Sequence, residues 1–447
     1  MQPVARRWLA FVLCALAGLS AAAAAQEGGR YTGVASCAGS TCHGRAEGNG
    51  EVVRQDEIAT WQEPSASSGA HSRALAVLGS LRGRQIAATL GMGDPTGESA
   101  CLGCHATFVP VAERGPRFQL GDGVGCESCH GPAGGWIATH YTTLGTHAAN
   151  VAAGLRPLDS PQARAGVCLD CHYGSAGGNQ FVTHRMMAAG HPRLVFELDL
   201  FSALQQHHDE DADYHQRKGR TDSVRLWAVG QAEAVRRSAD LFARPGFGTE
   251  GIFPEFVFYD CHSCHREIID GAQRRLTFET NPARPIPFGQ PPFNDENSIM
   301  LSAVARVLAP GQAQAFESAS LGFHRAMGEG RAEAAETAMR LRNAAAALSD
   351  ALAQSGGGDA FAVIAAIADR TTSPRFTDYA GSAQAVMAVD TLLNALVREG
   401  RITVGAAASI RADINRAYEA VRSPDGYNPV RFRAALGQAA GAIGTLR

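Results

Sequence analysis

The chain of 447 residues is short of several things. Lys218 is the only lysine among 40 basic residues. Apart from Cys14, every cysteine lies in one of five close pairs, and none follows Cys264. Beyond residue 25 no apolar run approaches the roughly 20 residues that span a bilayer. The longest, "FAVIAAIA" from Phe361, is far shorter. Sustained apolar–polar alternation is scarce, so few strands are expected. These absences exclude whole classes. The formal net charge is −3, and it becomes more negative without Arg6 and Arg7. That is no nucleic-acid footprint. No transmembrane segment is expected once the first 25 residues are removed. The near-exclusive use of arginine suits carboxylate partners, though a biased genome gives the same composition.

The first residues read as an address. Arg6 and Arg7 precede an apolar run from Trp8 to Leu19, and small residues fill Ala21 to Ala25. Positive, apolar, small is the order of a secretory signal peptide. Residues 1–25 are therefore expected to leave with Cys14, and the mature chain is expected to be exported to the periplasm.

The remaining ten cysteines form five pairs, each followed at once by histidine. They are Cys37, Cys42 and His43; Cys101, Cys104 and His105; Cys126, Cys129 and His130; Cys168, Cys171 and His172; and Cys261, Cys264 and His265. In four of them the cysteines stand three apart. That spacing sets two thiols on one side of a helical turn, within reach of two vinyl groups of one porphyrin. The next residue then turns its imidazole to the iron as proximal ligand. A lone Cys-x-x-Cys reads equally as a zinc site or a redox dithiol, and exported cysteines usually read as disulfides. Five copies with the following histidine, and no cysteine left over, favour five covalently attached haem c groups. The first motif, "CAGSTCH", carries two extra residues. Its four small spacer residues allow a bulged loop between thioethers; a Cys37–Cys42 disulfide is the alternative.

Ten histidines stand outside the proximal positions, and nine of them share the span of the motifs. Their density argues for bis-histidine iron. His71 opens a segment in which Ala74, Val77 and Leu81 recur at helical spacing, and it is expected on a first helical turn as a distal ligand. His140 and His147 are seven apart, as are His184 and His191. In a helix that is two turns on one face, so these four are also candidate distal ligands. One of His207 and His208 is a weaker candidate inside the polar stretch "QQHHDEDADYHQRKG". His262 lies inside its own motif and cannot easily ligate that iron. His324 reads as structural.

The expected fold is mainly α with extensive loops and few strands. A multihaem cytochrome c domain spans 31–270. An extended connector rich in Pro, Asn and Phe spans 277–297. A helical bundle of about four to six helices spans 298–447. In the bundle Ala407, Ile410, Ile414, Ala417 and Val421 step at helical spacing, as do Phe432, Leu436, Ala439, Ile443 and Leu446. Asn428-Pro429 reads as an N-cap with proline at the first helical position. Gly400 ends a helix, and "QSGGGD" at 354–359 breaks the chain. The bundle shows no ligand chemistry, so a chain ending near Asp270 is expected to keep its haems.

Several stretches resemble a known family. "CESCHGPAGGW", "CLDCHYG", "FVTHRMMAAGHPRL" and "YDCHSCHRE" are similar to exported tetrahaem cytochromes that accept electrons from hydroxylamine oxidoreductase. The resemblance covers roughly residues 31–270. It implies stacked haem pairs with mostly bis-histidine iron. It also implies a helix-borne distal histidine at His71, in "SGAHSRAL", and another at His140. The fifth motif and the long helical C-terminal region depart from that family, so its particular physiology is not carried over. The expected function is electron transfer between other redox proteins through closely packed haems. The alternative is an oxidoreductase in which one five-coordinate haem acts on a small nitrogen or oxygen species.

Overall fold

The computed structural model describes residues 29–447 apart from 52, 144, 178–179, 246, 248–254, 267–284 and 286–290. The expected signal peptide at 1–25 and residues 277–284 and 286–290 of the expected connector lie outside the described residues. The described residues hold eighteen α-helices, short 3-10 turns and no named strand. Two isolated bridges, Tyr31 with Arg114 and Tyr259 with Phe293, are the β-pairing among them. The chain is thus mainly α, as its composition predicts.

Ten helices precede residue 219, and most are short. They are α1 (Glu57–Gln62), α2 (Ala74–Leu78), α3 (Leu81–Leu90), α4 (Ser99–His105), α5 (Cys126–His130), α6 (His147–Ala152), α7 (Pro161–His172), α8 (His184–Ala188), α9 (Leu198–Leu204) and α10 (Ala212–Lys218). Glycine and serine keep them short. The periodicity through Ala74, Val77 and Leu81 is cut at Gly79, and Ser80 caps a new helix by accepting from the Gly83 amide at 3.1 Å. His71 consequently sits in the turn before α2 and not on a helical turn.

Eight longer helices follow. They are α11 (Ser223–Ala243), α12 (Glu296–Leu308), α13 (Pro310–Ala326), α14 (Arg331–Gln354), α15 (Ala360–Thr371), α16 (Tyr379–Arg398), α17 (Val404–Ala420) and α18 (Pro429–Gly444). Seven of them lie beyond residue 295, one more than the upper expectation. The extra break is at Ala309-Pro310. Proline removes an amide and starts α13 as its first residue, so α12 cannot run on. The sequence signals at the other ends hold. The Asn428 side chain accepts from the Arg431 amide at 2.9 Å with Pro429 at the first helical position. Gly400, at φ 69°, closes the end of α16 in the left-handed conformation glycine tolerates.

Chain contacts divide the protein into two compact units. The first runs to Val167 and includes Leu204–Gly219, so it carries motifs one to three. The second contains Cys168–Gly177, Phe181–Ala203 and everything from Arg220, so it carries motifs four and five with all the long helices.

The core of the second unit is large and centres on α11. That helix is buried on almost every side, through Trp227, Val229, Ala232, Val235, Leu241 and Phe242. A helix that is apolar all round belongs in a core. Its polar residues Gln231 and Glu233 are buried too and find partners. Asn297 donates to Gln231 at 2.7 Å, and Ser349 donates to Glu233 at 2.7 Å. Buried polar groups paired in this way fix the register of neighbouring helices. Helix α16 is long and apolar enough to cross a membrane, but 72% of its apolar window is buried in the bundle. A core position accounts for that composition.

Candidate haem sites

Each regular motif folds into a tight turn, as two thioethers and one proximal histidine require. Motifs two and three form the ends of α4 and α5, and motif four forms the last turn of α7. Motif five is a 3-10 turn in which the His265 amide donates to Cys261 O at 2.8 Å. The first motif closes in the same sense through a larger loop. The His43 amide donates to Cys37 O at 3.1 Å, and the Cys42 and Gly44 amides both donate to Gly39 O. The two extra residues are absorbed inside this loop.

Buried side chains tie the motifs into the fold. Glu127, a spacer residue of motif three, is almost fully buried. It accepts from the amides of Thr32 at 2.8 Å, Gly33 at 2.7 Å and Ala133 at 2.7 Å. Thr32 and Gly33 stand just ahead of motif one, so this carboxylate staples motifs one and three. Gly33 has φ 87°, and a Cβ there would meet Arg117 O at 2.5 Å. The sulfurs of Cys37 and Cys126 are in contact. Motif two is bound to motif three as well: the Thr107 and Ser128 hydroxyls are 2.7 Å apart. Replacing Glu127 with alanine leaves three amides without their acceptor. Each orphaned buried group costs about 1–3 kcal/mol, so we expect a loss of at least about 3 kcal/mol. Thermal unfolding monitored at the Soret band checks this.

In the second unit, Asp170 of motif four accepts from Arg237 of α11 at 2.7 Å, and the same guanidinium donates to Gly174 O. His172 packs edge-on against Phe201, with ring centroids 4.9 Å apart. Motif five is held by buried Asp260, which accepts from the amides of His262 at 3.0 Å and Ala380 at 3.3 Å. His262 donates from Nδ1 to Pro424 O at 2.7 Å. This is a structural role, in keeping with its place inside the motif. His324 is buried against Asp295 at 2.9 Å.

A bis-histidine haem makes a definite demand on ring separation. A metal–imidazole bond is about 2 Å, and the ring centre lies about 1 Å further, so opposed imidazoles have centroids about 6 Å apart. Three proximal histidines meet a second imidazole at that separation. His43 and His140 are 6.3 Å apart with planes at 15°. His130 and His207 are 6.2 Å apart with planes at 83°. His184 and His265 are 6.0 Å apart with planes at 35°. The outer nitrogens are engaged in the way ligands require. His140 donates from Nδ1 to Ile137 O at 2.8 Å, and His207 does so to Gln205 O at 3.0 Å. Such bonds fix the tautomer and turn Nε2 to the metal. The residues present therefore fit haem at these positions.

Electrostatics favours the ligating form. Burial, assisted by the neighbouring His207 and His208, pushes His130 down to about 3. Burial and His207 likewise take His208 down to about 4. Burial also lowers His71, partly opposed by a hydrogen bond with Gln205. Neutral imidazole is the form that binds iron. His43 is different, since its Nδ1 lies 2.9 Å from Glu57 Oε2. Burial alone would raise Glu57. Hydrogen bonds from His43 and from the amides of Glu57 and Gln55 outweigh it and hold the carboxyl below its usual range.

The seven-residue pairs do not share helical faces. His140 lies in a turn and His147 begins α6; His184 begins α8, and His191 follows Gly190, at φ 112°. His147 is half-exposed and lies 3.3 Å from Asp159. His105 donates from Nδ1 to Ala74 O at 2.8 Å. The turn carrying His71 is thus on the proximal side of motif two, and His71 faces Gln205 and His207. Sequence reasoning ranked His207 low because its stretch is polar and acidic. Its neighbours explain that polarity: Arg54 pairs with Asp209 and Asp211, anchoring the segment.

Repeated Cys-Cys-His turns and opposed imidazoles define a multihaem c-type cytochrome. Residues 36–131, which include motifs one to three, match the family model for cytochrome c554 and c-prime. That match supports the same class, with covalently bound haem c and a part in electron transfer. No match is found among curated proteins or among solved structures.

Proposed function

We propose that the chain is an exported, periplasmic pentahaem cytochrome that carries electrons between other redox proteins. The observation that carries this reading is the set of three imidazole pairs at iron-spanning distance. We assign His43 with His140, His130 with His207, and His265 with His184 as axial pairs. His147 and His191 remain the candidates for the haems of motifs two and four, and His71, beside His207, is the second candidate for the haem of motif three. Haem supplies one-electron iron chemistry, with potentials set by ligands, hydrogen bonds and burial. An iron held by two imidazoles has no position left for a substrate, which favours a carrier over an enzyme. The contact of Cys37 with Cys126 supports close packing of the first and third haems. Intact mass spectrometry with a pyridine haemochrome assay tests the count. Five haems per mature chain are expected; four, with Cys37 and Cys42 as a disulfide, would overturn the first-motif assignment.

A further inference from the structure

The first motif differs from motif two in more than its spacing. Its histidine donates from Nδ1 to a carboxylate, Glu57 Oε2, at 2.9 Å. His105 of motif two makes the corresponding bond to a backbone carbonyl, Ala74 O. The Glu57 side chain is nearly buried, and its second oxygen accepts from the Gln55 amide at 3.2 Å.

The chain is built to hold that carboxylate in place. Glu57 is the first residue of α1, where the helix N-terminus favours negative charge. The Ile58 amide donates to His43 O at 3.1 Å, and the Arg45 amide donates to Gln55 O at 2.7 Å. The Gln55 side chain donates to Thr41 O at 3.1 Å, inside the bulged loop of the motif. Gln55 itself has φ 67°, and it is the one non-glycine residue with positive φ among the described residues. A conformation of that kind persists only where its surroundings over-determine it. The loop from motif to helix is therefore strained into a shape that brings Glu57 under His43.

From this geometry, and resting on the five-haem reading, we propose that Glu57 is the potential-setting residue of the first haem. A carboxylate accepting from the outer nitrogen makes the imidazole a stronger, more anionic donor. It stabilises ferric over ferrous iron, since reduction removes positive charge from the centre that the carboxylate attracts. A carbonyl dipole does the same more weakly. Reduction adds one electron to the iron, and no bond at Glu57 forms or breaks. The first haem is thereby the low-potential end of the chain. It receives an electron from a strong reductant and passes it on readily.

The test is potentiometry on the holoprotein followed by EPR. Near-parallel ligand planes, as in His43 and His140, give a rhombic low-spin signal, and the rhombic component lost in His140→Ala identifies this haem. In the unaltered protein that signal is expected to titrate at the most negative of the five midpoints. In Glu57→Gln, which keeps size and a hydrogen-bond acceptor, its midpoint moves positive by at least about 59 mV, a tenfold shift in a one-electron equilibrium. The other four stay put. A midpoint unmoved in a five-haem Glu57→Gln protein overturns the inference alone. So does a rhombic signal of the wild type that is not the lowest, whether or not the variant folds. A wild type with no haem on Cys37 and Cys42 overturns this inference and the five-haem reading together.

Discussion

Replacing His207 with alanine is expected to convert one haem from low-spin to high-spin, shift its midpoint positive and leave the haem count unchanged. The ring of His207 stands 6.2 Å from that of His130, and their planes are close to perpendicular. Perpendicular imidazoles cancel each other's in-plane field at the iron. The d orbitals then stay nearly degenerate, and the ferric centre gives a highly anisotropic low-spin signal. The near-parallel pair of His43 and His140 splits those orbitals and gives the rhombic form. Loss of His207 should remove the anisotropic signal and leave the rhombic one intact. Low-temperature EPR of the oxidised protein checks both parts. An unchanged spectrum would withdraw His207 from the ligand set and return His71, its partly buried neighbour, as the candidate for that iron.

Ending the chain near Asp270 is expected to cost haems, against the simpler reading of a separable helical region. Motifs four and five belong to the unit that contains the bundle. Truncation takes away the Ala380 amide bound by Asp260 and the Pro424 carbonyl bound by His262, both at motif five. It also strips α12–α18 from α11, leaving Trp227 and Phe242 without cover. Each large side chain returned to water costs about 1.5–3 kcal/mol, and α11 carries many. Arg237, which holds Asp170 of motif four, sits on that same helix. The truncated chain is therefore expected to retain three haems, those of motifs one to three. The haemochrome assay and intact mass would show it. Retention of all five would mean that motifs four and five fold without the bundle.

The helical region thus has a role in holding motif five in place. A carrier must hold its haems at fixed spacing, because electron transfer is sensitive to distance. Buried carboxylates at Glu127, Asp260 and Glu57 do this with directional bonds to backbone amides and one imidazole. The bundle supplies the rigid body to which the last two motifs are fastened.

The sequence by itself determined the chemistry of attachment, the helical class and most helix ends. Attachment is local: two thiols and a histidine fall within one turn, so order and spacing are enough to read it. Helix ends are local too, and Asn428, Gly400 and the break at 354–359 each act through neighbouring amides. His140 and His184 were legible as ligand candidates from their place among the motifs. What faces each proximal histidine was not legible, because an axial partner is chosen across space. His140 lies 97 residues from His43 and His207 lies 77 from His130. The seven-residue spacings suggested shared faces, but turns and Gly190 break the helices they needed. The role of Glu57 was hidden for the same reason. Fourteen positions from His43, it is one acidic residue among many until the strained turn at Gln55 carries it beneath the imidazole. Only the tertiary structure decided which imidazoles stand opposite one another, because the distance between two rings far apart in the chain is something no local pattern encodes.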